Sequence, residues 1–406
     1  MTLSPPRPGD FAPPPDAAAH QGWLEADRAA RPGRLGRIRA RLAVEGLDAY
    51  FGVGPENGRY LTGFALSNGE EAVAGTSGQF FVTGDDLVVL ADSRYTIQVE
   101  REAPDARIEF VYHDLPRRWP ELLAALGARR VAIEAGLVSH ALWETLAQAA
   151  AGVELVAVEG WVEGDLATKE PSELERIAAA CAVADRALAT LLPAICPGAT
   201  ERQLALLLEW EMRTNGAEAL AFDVACLAGP EAALPHGSPD DRPIRAGEVL
   251  LFDFGAQVAG YRSDMTRTLF VGEPRARDVE LYDLVARAQA AAIERIQATA
   301  GQGSALPDGR SLDGLARDVI VAAGHGEHFG HGLGHGIGLA THELPRLSRT
   351  APTTPLPSPT VFSVEPGVYL DGEVGIRIED LVAVDVGARR VDRLTRFPRE
   401  VIVVGT

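Results

Sequence analysis

The sequence predicts an α/β domain at the N-terminus followed by an α+β domain built from two pseudo-symmetric halves. Three observations lead there. Up to about Trp161, strand-like and helix-like stretches alternate, the order of an α/β layer. Beyond Asp165 the order helix, helix, strands occurs twice, and each occurrence sets two acidic residues on its strands. The letters do not repeat, so this is a weak internal pseudo-repeat. Two such halves would face each other and hold the acids in a central cleft.

The elements follow in order. Residues 1–20, MTLSPPRPGDFAPPPDAAAH, read as a flexible Pro-rich tail. They lack the apolar h-region of a signal peptide. Residues 21–164 form the first domain. Its helix runs from about Arg34 to Glu45 and stops at Gly46. LDAYFGVG is a strand, and QFFVTGDDLVVLAD is a hairpin turning at Gly84-Asp85-Asp86. ARIEFVYHD, RRVAIEAGL and VELVAVEGW are further strands, with helices in PELLAALG and ALWETLAQAA. Residues 165–406 form the second domain. Pro171 opens a helix through CAVADRALATLL. TERQLALLLEWEMRTNG is the next, capped by Thr200 and ended by Gly216. Strands around Asp253 and Asp264 follow. Two more helices, DVELYDLVARAQAAAIERIQATAG and SLDGLARDVIVAAG, precede strands around Glu365 and Glu379.

Composition narrows the function. A chain of 406 residues has room for two or three domains. Its net charge of −19 argues against nucleic acid or an anionic membrane as partner. The apolar runs fall short of the roughly 20 residues that a membrane helix needs. Cys181, Cys196 and Cys226 are expected as reduced core residues of a cytoplasmic protein, not as ligands or disulfides.

The chemistry sits in three blocks. VLLFDFGAQVAGYRSDMTRTLF supplies Asp253 and Asp264; a hairpin centred near Val258-Ala259 would set them on neighbouring strands. FGHGLGHGIGLATHELP supplies His335. Alternation there puts His331, Leu333, His335 and Ile337 on one face of an extended segment, opposite glycines that admit close backbone approach. VFSVEPGVYLDGEVGIRIED supplies Glu365 and Glu379. Arg377 shares a strand face with Glu379, while Ile376 and Ile378 point the other way. Any one of these acids could be an ordinary ion pair, and any one histidine a core residue. Six of the nine histidines, however, fall between His236 and His342. Four carboxylates and one imidazole suit borderline-hard divalent cations. They balance two such ions and leave room for the hydroxide that two-metal hydrolases use.

In this order the three blocks resemble the pita-bread metallopeptidases: aminopeptidase P, prolidase and methionine aminopeptidase. The resemblance covers Asp165 to the C-terminus, and all five family ligand positions match. It implies that Asp253 binds one metal, His335 with Glu365 the other, and that Asp264 and Glu379 bridge. The family's further active-site histidines fall on His236, His331 and His342, and Glu365 receives the proton-transfer role. NGRYLTGFALSNG and LADSRYTIQVE, with Asp92, Arg94 and Tyr95, resemble the creatinase-type domain of the Xaa-Pro peptidases. Glu231 stands where the family usually has asparagine. The resemblance implies two divalent ions, Mn²⁺ foremost with Co²⁺, Zn²⁺ or Fe²⁺ also fitting, proline-containing peptides as substrates, and a homodimer. The leading expectation is an aminopeptidase P-like exopeptidase that cleaves the Xaa-Pro bond at peptide N-termini. Alternatives are a prolidase acting on Xaa-Pro dipeptides, a metal-free amidinohydrolase, and a non-catalytic binding module; the last two fit less well because such relatives lose ligands.

Overall fold

The computed structural model describes residues 5–66 and 75–405. Ser67–Gly69 of the motif NGRYLTGFALSNG lie outside them. The chain divides into two compact units: Gln21–Asp165, and Leu166–Thr406 together with the segment up to His20.

The first unit is a mixed six-stranded sheet with helices. Its strand order is Arg107–Phe110, Leu87–Ala91, Phe80–Thr83, Ala49–Gly52, Arg130–Glu134, Glu154–Val158. The hairpin forms as expected, with Val82 opposite Leu87. Trp119 fills the core beside Phe51, at 4.9 Å between ring centroids. The first helix is far longer than expected. It runs Ala17–Glu45 with Pro32 inside, because the Ala-rich stretch before Pro32 carries high helix propensity. It stops at Gly46 with φ of 63°.

In the second unit two sheets carry the acids. Val403–Val404, Met265–Val271, Val249–Phe254 and Ala225–Ala228 form one. Glu343–Leu347, Gly334–Gly336, Thr360–Val364, Asp380–Asp385 and Arg390–Arg393 form the other. Each half brings two helices: Pro171–Leu191 with Glu201–Thr214, and Ala276–Gly301 with Gly309–Ala322. This is the pita-bread arrangement. Thr200 caps its helix by accepting from Gln203 N. By length and hydropathy Pro171–Ala194 suffices to cross a membrane, contrary to the reading of the apolar runs. It is a core helix here, burying Ile177, Ala180, Ala184 and Leu188.

Two further expectations change. The Pro-rich segment is held rather than free: Arg186 Nη1 donates to Pro8 O at 2.9 Å, and Phe11 stacks on Phe397 with ring centroids 6.2 Å apart. The carbonyl of Pro8 and the ring of Phe11 thus both find partners in the second unit. Of the cysteines, all free, Cys181 and Cys226 are buried but Cys196 is exposed.

Candidate metal centre

Asp253 lies on Val249–Phe254, opposite Thr266 on Met265–Val271. The connection between these strands bends at Gly255, where any Cβ would collide with Ser263 O. It turns at Ala259 and Gly260, one residue later than expected, both at positive φ, as a two-residue hairpin turn requires. The bend delivers Asp264 immediately before its strand, beside Asp253.

His335 sits on Gly334–Gly336, and a β-bulge follows it. The regular alternation expected around it does not hold. Leu333 and Ile337 turn into the core while His331 and His335 line the cavity. The glycines serve as expected. A Cβ at Gly334 would meet Ser363 O, and one at Gly336 would meet Leu344 O, each at 2.0 Å. Glu365 and Glu379 face each other across a gap between two ladders that share one register, one ending at Val364↔Asp380 and the next starting at Gly367↔Arg377. Ile376 and Ile378 are fully buried while Arg377 and Glu379 line the cavity.

All the predicted site residues meet at one cavity of about 390 Å³, including His236 and His342. His325 and His328 do not; they pair with each other on a 3-10 turn. His335 Nε2 lies 3.3 Å from Glu365 Oε1 and 3.7 Å from Asp264 Oδ2. Asp264, His335 and Glu379 offer ligand atoms within 4.8 Å of one another. His335 Nδ1 donates to Gly336 O at 3.0 Å, which turns Nε2 to the cavity in the manner of a metal-binding imidazole.

The electrostatics favour a bound cation. Burial, reinforced by Glu379, pushes Asp264 well above the usual carboxylate range. Burial and Glu365 do the same to Glu379. Burial also raises Asp253, against the pull of Arg377. Burial opposes ionisation of Glu365, yet His335 outweighs it and holds that carboxyl at about 2. The same contact lifts His335 to about 9 despite its burial. Asp253 Oδ1, Asp264 Oδ1 and Glu379 Oε1 are buried with no hydrogen-bond partner among the described residues. Orphaned buried carboxylate oxygens are costly, and here three share one cavity with an imidazole nitrogen. That donor set fits divalent metal.

Several participants escaped the sequence reading. Thr266 Oγ1 accepts from Arg377 Nε and donates to Glu379 Oε2, both at 2.8 Å. Arg377 also grips Asp253 Oδ2 at 2.6 Å and Tyr369 Oη at 2.7 Å. Tyr369 in turn donates to His331 Nε2 at 2.9 Å. Ser363 receives His335 N and donates to Glu365 Oε1, both at 3.0 Å. Arg346, the cross-strand partner of His335, also lines the cavity. Thr266 and Ser363 lie two residues from Asp264 and Glu365, so strand periodicity pointed to them. Tyr369 and Arg346 carry no such local signal.

Comparison with known proteins agrees with this geometry. Residues 175–385 match metallopeptidase family M24. This chain belongs to that family. Residues 34–164 match the creatinase/prolidase N-terminal domain. An Xaa-Pro dipeptidase of Pyrococcus furiosus is 31% identical over 91% of this chain and 99% of its own length. An Xaa-Pro dipeptidase structure from Bacillus anthracis superposes with a TM-score of 0.82 at 30% identity, covering 92% of this chain and all of that one. An X-Pro aminopeptidase structure from Thermotoga maritima superposes with a TM-score of 0.80 at 34% identity, covering 91% and 99%. The M24 chain is thus a hydrolase of the metallopeptidase class, a class that works with divalent metal ions.

Proposed function

We propose that this M24 peptidase hydrolyses the Xaa-Pro bond of dipeptides, with two divalent ions, Mn²⁺ foremost, held by Asp253, Asp264, His335, Glu365 and Glu379. Sequence alone led with aminopeptidase P-like cleavage of longer peptides. The names of the relatives lend more support to the dipeptidase, although an X-Pro aminopeptidase stands among them. The observation that carries the reading is one cavity lined by four carboxylates and His335 and also by the guanidinium of Arg346. A dipeptide carries a free proline carboxylate suited to that guanidinium.

The bond before proline is a tertiary amide without an N–H. Its cleavage releases a secondary amine that must gain a proton. When bound, the divalent ions supply Lewis-acid polarisation and lower the pKa of water. The chain's own groups do the rest. Glu365, ionised in this cavity, accepts the proton of the attacking water and returns it to the leaving nitrogen. Burial holds His342 below its ordinary pKa, with His335 adding to the effect. A neutral His342 can donate to the carbonyl oxygen or the proline nitrogen, and His236 lines the same cavity. Arg377 and Thr266 fix Asp253 and Glu379.

Arg346→Ala tests the reading. It should lower kcat/KM for an Xaa-Pro dipeptide about 10- to 100-fold, mainly through KM, and have little further effect on the C-terminal amide of that dipeptide. Equal losses on acid and amide would refute the carboxylate role.

A further inference from the structure

Glu365 and Glu379 lie where a β ladder is interrupted. The pairing of Thr360–Val364 with Asp380–Asp385 ends at Val364↔Asp380. Pairing resumes in the same register at Gly367↔Arg377. Glu365, Pro366, Ile378 and Glu379 lie unpaired between. In that register Ile378 faces Pro366, which has no N–H to give. The carbonyl just before Glu379 therefore lacks its ladder donor, and a buried carbonyl without a donor is costly.

The helix Ala276–Gly301 supplies the missing donor. Gln289, 1% exposed, places Nε2 3.2 Å from Ile378 O and 3.0 Å from Val364 O. The same nitrogen lies 3.2 Å from Asp380 Oδ2, and Oε1 accepts from Arg399 Nη1 at 3.2 Å. One amide thus ties the two carbonyls that directly precede the two glutamates. Around it the helix is apolar: Val285, Ala288, Ala292 and Ile293 belong to the main core. A buried glutamine is tolerated among them only with its hydrogen bonds made.

We propose that Gln289 is a positioning residue for the metal site, spanning the gap in the ladder and setting the separation of Glu365 and Glu379. The inference rests on the assignment of those glutamates as ligands. Gln289 touches neither carboxylate; it acts on the backbone that carries them. Groups that orient metal ligands typically change affinity 10- to 100-fold when removed.

The test is calorimetric titration of the metal-free protein with Mn²⁺, comparing wild type, Gln289→Met and Ile296→Val. Ile296 is a fully buried residue of the same helix, so its variant controls for a purely structural loss. Gln289→Met should weaken Mn²⁺ binding about tenfold or more, and lower kcat more than it raises KM. Ile296→Val should bind Mn²⁺ within twofold of wild type. Gln289→Met within twofold of wild type would overturn the inference alone. Wild type that binds no Mn²⁺ would overturn the ligand assignment and this inference with it. If Gln289→Met does not fold, Gln289→Asn, which keeps the amide but shortens its reach, decides by the same titration and the same twofold limit.

Discussion

Replacing Lys169 by Met should destabilise the catalytic unit by about 3–5 kcal/mol, the cost of leaving one partner of a buried ion pair alone. Lys169 Nζ lies 2.5 Å from Glu343 Oε2, with side chains 0% and 4% exposed. It also donates to Leu166 O at 2.5 Å, while the other oxygen of Glu343 accepts from Ala340 N at 3.0 Å. Without the ammonium, Glu343 is a charge with no counter-ion. For a unit of roughly 260 residues, unfolding entropy is on the order of 0.5 kcal/mol/K, so Tm should fall by about 6–9 °C. The double variant Lys169→Met/Glu343→Leu should recover most of that loss, because well-packed apolar replacements of a buried pair are often neutral. The segment Ala340–Arg346 also carries His342 and Arg346, so the single variant should raise KM several-fold. Calorimetry on the two singles and the double closes the cycle. A Lys169→Met loss below about 0.5 kcal/mol, or a double no more stable than the singles added together, would refute the reasoning.

Other outcomes follow from the site. Asp264→Asn and His335→Ala should each lose a bound metal in equilibrium dialysis and nearly all activity; either one turning over substrate at the wild-type rate would remove it from the ligand set. Mn²⁺ at 100 times its Kd should stabilise the protein by about 2.7 kcal/mol, and an unchanged Tm on adding Mn²⁺ or EDTA would count against a formed site. Asp185 accepts from Arg396 N and Phe397 N at 2.7 and 2.9 Å, and burial pushes it up to about 6. A carboxyl raised on folding binds more protons in the native state between pH 4 and 6, so its contribution to stability falls as pH rises through that window. The stability of wild type relative to Asp185→Asn should therefore decline by about 2 kcal/mol from pH 4 to 6 and level off above about pH 7; a flat difference would show that Asp185 is not raised.

The sequence carried most of the site because the ligands are local signals. Asp253 interrupts an apolar run, His335 lies among glycines, and Glu379 shares a strand face with Arg377. Strand periodicity failed at one ligand segment. A β-bulge after His335 separates Ile337 from it, and Leu333 lies before the strand Gly334–Gly336 begins; nothing in the alternation of glycines marks either. Tyr369 and Gln289 were illegible for another reason: each acts across the fold, on partners set by tertiary contact. The N-terminal segment misled because its proline content reads as disorder, whereas Arg186 and Phe397 supply partners far away in sequence.

The central claim is that this M24 peptidase hydrolyses Xaa-Pro dipeptides with bound divalent metal. It is tested most directly by product analysis of the Mn²⁺-loaded enzyme on an equimolar mixture of an Xaa-Pro dipeptide and an Xaa-Pro-Xaa tripeptide. The account predicts free proline from the dipeptide and an intact tripeptide. Release of the first residue from the tripeptide with the dipeptide left whole would contradict it and establish aminopeptidase P activity instead.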